Sequence, residues 1–164
     1  MPTFSFDIVS DYDKAEMNNV FAQVEKEISS RYDFKGTPAA IEWLTDKKGF
    51  KLIGANQWQV EAVLDIVRKK LASRNQTSKS LDLMKEPVES NLKTTWEIPF
   101  IAGLDQDKAK KIAALLREKV SKVKAQIQGD AVRVISSSKD DLQASMREVD
   151  AADFEFPTQY INYR

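Results

Sequence analysis

The chain has 164 residues, with 25 Lys and Arg against 25 Asp and Glu, and it contains neither His nor Cys. Without these two residue types it can form no Ser-His-Asp triad, no Cys nucleophile, no disulfide and no Cys/His zinc site. An enzyme would have to use carboxylates, Lys, Tyr or a bound metal, so we expect a binding protein without a cofactor. The zero net charge gives no general attraction for DNA or for an anionic membrane.

Targeting signals are not found in the sequence. No apolar run approaches the length of a membrane-spanning helix, roughly 18 residues or more. The first residues lack the basic and apolar regions of a secretion signal. We therefore expect a cytoplasmic location without membrane contact, which the absence of Cys allows.

The first half predicts strands that alternate with amphipathic helices. Alternation of Phe4, Phe6 and Ile8 with polar residues predicts the first strand, and apolar residues three or four apart predict both helices. The predicted elements are a strand at Thr3–Ser10, a helix at 14–29, strands at 31–34, 40–43 and 50–53, a helix at 57–73 and a last strand at 80–83.

A segment without apolar periodicity, residues 85–92, contains Pro87 and predicts a linker. The same order of elements then recurs, with a strand at 94–101, a helix at 107–122, a hairpin of strands 123–128 and 131–136, a helix at 139–151 and a strand at 159–163. Asp13-Lys-Ala15 also recurs, as Asp107-Lys-Ala109.

This duplication predicts an α+β fold of two ferredoxin-like (βαββαβ) domains with antiparallel sheets. The predicted domains are 1–84 and 93–164, joined by the linker at 85–92. In this topology both helices cover one face of the sheet and leave the other open. An open face is available for binding.

Three acidic pairs, at Asp11/Asp13, Asp105/Asp107 and Asp140/Asp141, have the composition of a Mg²⁺ site. Each pair, however, precedes or begins a predicted helix, where carboxylates accept hydrogen bonds from free N–H groups. We therefore interpret them as helix caps.

The second hairpin provides the first candidate binding surface. If Val123, Ala125 and Ile127 face the helices, the alternate residues must face the open side, as must Arg133 between Val132 and Val134. Cations and amides on one face suit phosphates and base edges, and an exposed Arg133 should contribute little to stability. The candidate residues are Lys122, Lys124, Gln126, Gln128 and Arg133.

A second candidate is the segment Arg31–Lys35, which combines rings and cations suited to stacking and charge. Its candidate residues are Arg31, Tyr32, Phe34 and Lys35. The third-strand aromatics of an RNA-recognition domain are missing, since Ala131–Ile135 contains no ring.

The sequence closely resembles the YajQ family of bacterial nucleotide-binding proteins over nearly its whole length. The resemblance is carried by Phe6-Asp-Ile-Val-Ser10, Arg31-Tyr-Asp-Phe-Lys-Gly36, Gln126-Ile-Gln-Gly129, Val132-Arg-Val134 and Lys139-Asp-Asp-Leu-Gln143. It implies two ferredoxin-like domains that exchange their first strands, 3–10 and 94–101. It also implies a cytosolic protein that binds nucleotides or nucleic acid. Some relatives resemble cyclic di-GMP effectors that also contact a transcription regulator.

Three functional hypotheses follow from these observations. The first is a non-enzymatic nucleotide-binding effector, with cyclic di-GMP as the best single ligand. The second is an RNA- or DNA-binding module, and the third is a small metal-dependent enzyme that uses carboxylates.

Overall fold

The computed structural model describes residues 3–164, which form two compact units. We call residues 3–11 with Ala102–Arg164 the discontinuous unit, and Tyr12–Ile101 the continuous unit. The elements in chain order are β1 (Phe4–Val9), α1 (Lys14–Ser30), β2 (Ala40–Trp43), β3 (Gly49–Gly54), α2 (Gln57–Ser73), β4 (Val88–Ser90), β5 (Lys93–Pro99), α3 (Gln106–Lys119), β6 (Lys124–Gln128), β7 (Ala131–Ser136), α4 (Lys139–Ala152) and β8 (Gln159–Ile161).

Each unit contains one four-stranded antiparallel sheet and two of the helices. In the discontinuous unit the strand order is β6-β7-β1-β8, and in the continuous unit it is β2-β3-β5-β4. Strand β1 pairs with β7 and β8, whereas β5 pairs with β3 and β4. The predicted α+β, ferredoxin-like fold class with antiparallel sheets is confirmed.

The cores follow the apolar periodicity of the sequence. In the continuous unit, Val20 and Val24 of α1 and Val67 of α2 belong to one buried cluster with Phe50 and Leu52 of β3. In the discontinuous unit, alternate residues of the central strands are fully buried together with residues of α3; these are Phe6, Ile8, Val132, Val134, Ile112 and Leu116. Burial of alternate strand residues directs the remaining side chains to the opposite face of each sheet.

Helix caps account for the acidic pairs. The Asp13 carboxylate accepts a hydrogen bond from the Glu16 N–H at 3.1 Å, and the Asp105 carboxylate accepts one from the Lys108 N–H at 2.8 Å. At α4 the cap is Ser138, with Asp140 and Asp141 in the first turn. The cap interpretation is confirmed for Asp13 and Asp105, whereas Asp107, Asp140 and Asp141 lie in the first turns of their helices. Within residues 3–164 no group of three or more acidic side chains is placed to hold a metal ion.

Two predicted strands of the first half are wrong. Residues Tyr32–Phe34 form a turn of 3₁₀ helix, in which Arg31 reaches Asp33 two residues later. Ser78–Ser80 form another 3₁₀ turn, followed by a single bridge between Leu81 and Phe100. The fourth strand of the sheet in the continuous unit is β4, which lies inside the segment predicted as a linker. None of the helices described for residues 3–164 is long and apolar enough to cross a bilayer.

Candidate functional site

The β6–β7 hairpin places the predicted cations and amides on one face of its sheet. Gln126 lies opposite Arg133, and Lys124 lies opposite Ile135. Because Val132 and Val134 are fully buried, Arg133 between them points to the other face, as alternation predicts. Lys124 and Gln128 are exposed, as is Lys122 just before the strand. The Gln126 and Gln128 amides lie 3.5 Å apart (Oε1 to Nε2).

Arg133 is not the free guanidinium that the sequence predicted. Strand β1 lies beside β7 with Asp7 opposite Arg133, and Arg133 Nε donates to Asp7 Oδ1 at 2.9 Å. Arg133 Nη2 lies 3.5 Å from Asp7 Oδ2, which also accepts a 2.9 Å hydrogen bond from the Asn162 amide. The Asp7 side chain is 10% exposed and that of Arg133 is 28% exposed. One edge of the Arg133 fork is therefore occupied by a carboxylate.

Both members of the Asp7–Arg133 pair are ionised. Hydrogen bonding from Arg133, against a smaller effect of burial, lowers the pKa of Asp7 below its usual value, and Asn162 contributes in the same direction. Hydrogen bonding to Asp7 raises the pKa of Arg133. Because the pair is neutral as a whole, the positive charge of the hairpin comes from Lys122 and Lys124.

The last residues of the chain hold Asn162 against Asp7. Asn162 adopts a left-handed conformation with φ of 56°. Asn tolerates this conformation better than most residues. On either side, the Tyr160 hydroxyl donates to Asp150 Oδ1 at 2.5 Å, and Arg164 exchanges backbone hydrogen bonds with Ser5 at 2.9 and 3.1 Å. Sequence reasoning missed Asn162 and Asp7, because their proximity depends on which strands pair.

The Arg31–Lys35 segment gathers rings and cations, but not all of them are accessible. Arg31 makes two hydrogen bonds to Asp33, at 3.0 and 2.6 Å, and its guanidinium lies 4.4 Å from the centre of the Phe34 ring. Phe34 is only 6% exposed and belongs to the core, whereas Tyr32 is 85% exposed. Lys35 Nζ lies 5.7 Å from the centre of the Tyr32 ring. Tyr32 and Lys35 are therefore the exposed candidates, while the Arg31 side chain, 36% exposed, is paired with Asp33.

The two candidate surfaces belong to different compact units. The β6–β7 hairpin lies in the discontinuous unit and Arg31–Lys35 lies in the continuous unit. Each is a separate arrangement of residues, with its own carboxylate partner for its arginine.

The family model described as nucleotide-binding protein YajQ-like matches residues 4–164. A nucleotide-binding protein of Streptomyces griseus is 45% identical to this chain, with 100% of both chains covered. A nucleotide-binding protein of Trichodesmium erythraeum is 40% identical, covering 99% of this chain and 98% of the relative. One from Endomicrobium trichonymphae is 39% identical, covering 98% of each.

Proposed function

Because this chain belongs to the YajQ family, we propose that it is a nucleotide-binding protein of the cytoplasm that binds its ligand without chemical turnover. Its relatives are named for nucleotide binding, and the chain lacks His and Cys. Those are the side chains most often used for acid–base and nucleophilic catalysis. Cyclic di-GMP is the single ligand that we propose first. In this proposal the bound protein acts through a partner such as a transcription regulator.

One geometric observation carries the proposed site. The strand register sets Gln126 beside Arg133 on the same face as Lys124 and Gln128. Ammonium groups attract phosphates, and side-chain amides donate to and accept from base edges. The hydrogen bond to Asp7 holds Arg133, which lies opposite Gln126 in the strand register. We propose that Lys122 and Lys124 contact phosphate and that the two glutamines contact bases.

The first prediction concerns Lys124. Replacing it with Glu should weaken binding of cyclic di-GMP at least tenfold, because one attraction of ~1 kcal/mol is lost and a repulsion of similar size is added. Isothermal titration calorimetry measures the change. The matched control is Lys110→Glu, the same reversal at an exposed position on α3 of the same unit. Equal binding by the two variants would exclude the hairpin as the site.

A nucleic-acid ligand is the second candidate, favoured by the exposed Lys122 and Lys124 at an edge strand. Binding that is dominated by phosphate contacts weakens steeply as salt rises. A salt titration with single-stranded and duplex oligonucleotides distinguishes this ligand from a small nucleotide.

The third hypothesis, a metal-dependent enzyme, would be indicated by nucleotide turnover with Mg²⁺ that disappears in Asp105→Ala or Asp107→Ala.

A further inference from the structure

The continuous unit has a pocket at the free edge of β2. This cavity of about 280 Å³ lies beside the last turns of α1 and the Tyr32–Phe34 turn. We call it the edge pocket. Ile28, Phe34 and Ile41 form its apolar wall, and Glu25, Ser29 and Lys35 stand around it. Its volume is at the lower limit of small-molecule sites and suits one nucleobase better than a dinucleotide.

Unpaired backbone groups of β2 lie at this pocket. Strand β2 is the last in its sheet, so one of its edges has no neighbouring strand within residues 3–164. The Leu44 N–H donates to the Gly49 carbonyl at 2.9 Å. This bond fixes the alternation of hydrogen-bonded pairs along β2 and β3. The backbone N–H and C=O groups of Ala40 and Glu42 therefore bond to β3. Those of Ile41, which lies between them, point to the free edge. Ile41 thus offers a donor and an acceptor side by side.

Charge is available next to this apolar wall. Arg31 is held by Asp33 and covers one side of the Phe34 ring, so it fixes the wall rather than serving as a free cation. Lys35 is exposed and lines the pocket, where its ammonium group can attract a phosphate. Glu25 is the exposed carboxylate of the pocket, and carboxylates accept hydrogen bonds from sugar hydroxyls.

We propose that the edge pocket binds the base of a nucleoside phosphate. The base inserts against Ile28 and Phe34, pairs its edge with the N–H and C=O of Ile41, and places its phosphate at Lys35. This rests on the proposed function for the class of ligand, and it adds a second nucleotide site, in the other compact unit.

A peptide strand added to β2 is the other occupant to consider. Such a strand needs a row of free backbone groups. Pro38, just before β2, has no N–H to offer. The Ala39 N–H bonds to Thr37 Oγ1 at 3.3 Å, and Lys47 Nζ lies over the Trp43 ring at 5.2 Å from its centre. By the same alternation Trp43 also directs its N–H and C=O to the free edge, but Trp43 does not line the pocket. The donor and acceptor of Ile41 lie beside the apolar wall and Lys35, which suit a base and its phosphate better than an extended strand.

The test is an NMR titration of the full chain with GMP and, separately, with ribose 5-phosphate, which lacks the base. With GMP, the Ile41 amide should shift and its hydrogen exchange should slow at least tenfold. Ribose 5-phosphate should leave the Ile41 amide unchanged. An equal response to both compounds would refute base recognition, and an unperturbed Ile41 with shifts confined to the hairpin would refute the edge pocket alone.

Two neighbouring serines give a matched pair of variants. Ser29 and Ser30 are both exposed in the last turn of α1, and each hydroxyl donates to the carbonyl three residues earlier, at 2.8 and 3.1 Å. Of the two, Ser29 lines the pocket. Ser29→Phe should weaken GMP binding more than tenfold by filling the cavity, while Ser30→Phe should change it less than twofold.

Charge reversal provides an independent variant. Lys35→Glu should weaken GMP binding at least tenfold, whereas Lys26→Glu, at an exposed position of α1 outside the pocket, should not. Full affinity in Ser29→Phe and Lys35→Glu would overturn the edge pocket. If Lys124→Glu still weakened the binding of cyclic di-GMP in that case, the proposed function would stand without the edge pocket. Absence of binding by any nucleotide would overturn both.

Discussion

At the scale of single residues, the pairing of Arg133 with Asp7 decides how the hairpin can be probed. The Asp7 side chain is only 10% exposed, and it accepts from Arg133 at 2.9 Å. Arg133→Glu would set two carboxylates against each other, so reduced binding by that variant could result from unfolding. The expectation that Arg133 is of little consequence for stability therefore needs its own measurement. Lys124 is the better probe of binding, because it is exposed.

The Asp7 hydrogen bonds should be measurable in stability. Asp7→Ala removes the acceptor for Arg133 and Asn162. It should lower the free energy of unfolding by about 1–3 kcal/mol, as for other hydrogen bonds with a charged partner. Urea denaturation gives the value. Glu42→Ala, an exposed carboxylate on strand β2, is the control and should change it little. Equal effects of the two substitutions would show that the network contributes nothing.

Acid should reveal the same network. The pKa of Asp7 is lowered in the folded protein. Its contribution is therefore complete above the unfolded pKa of about 4 and is lost as the pH falls through the lower, folded pKa. The stability difference between the native protein and Asp7→Asn should be larger at about pH 5 than at about pH 2–3. Urea midpoints at both pH values test this, and a pH-independent difference would contradict it.

At the scale of elements, local signals predicted the helices well and the short edge elements poorly. Helix α2 begins at Gln57 and ends at Ser73, as the apolar periodicity predicts. Strand β4 was missed because its two-residue turn pairs Asn91, at φ of 50°, with Leu92, at φ of 64°. Such turns are usually signalled by Asn followed by Gly, and here Leu takes the second position. Arg31–Phe34 has the composition of a strand, but the paired Arg31 and Asp33 stabilise a turn.

Close packing between β3 and β5 depends on a glycine. A Cβ at Gly49 would lie 2.4 Å from the Ile98 carbonyl oxygen and 2.7 Å from the Pro99 Cα, and both are backbone atoms. Gly49→Ala should therefore destabilise the protein by about 1–3 kcal/mol, since the strands must move apart. Thermal unfolding measures this. Gly129 has φ of 60° and open space around it. Gly129→Asn should cost less, because Asn tolerates this conformation, and the reverse order would refute the steric argument.

At the scale of the whole molecule, the two compact units do not correspond to the first and second halves of the chain. The continuous unit contains β2, β3, β4 and β5, and the discontinuous unit takes its central strand β1 from the start of the chain. The division of the chain at 85–92, and an exchange of first strands between domains, stay predictions that fragments can test.

Fragment 12–101 should fold alone, because it retains a complete sheet and its two helices. Fragment 1–84 should not, because it lacks β4 and the central strand β5. Far-UV circular dichroism and the cooperativity of thermal unfolding distinguish the two outcomes. A chain that joins residues 3–11 to 102–164 through a flexible linker is the corresponding control for the discontinuous unit. Cooperative folding of 1–84 would instead support the division at 85–92.

The sequence by itself determined the fold class, the helices, their caps and the outward face of the β6–β7 hairpin, because these follow from periodicity and from contacts within a few residues. Tertiary structure alone decided that β1 lies beside β7 and β5 beside β3. These pairings place Asp7 where it accepts a hydrogen bond from Arg133. They also leave one edge of β2 without a neighbouring strand within the described part of the chain. Strand pairing is set by packing between residues far apart in the chain, as Asp7 and Arg133 are, and no local pattern records it.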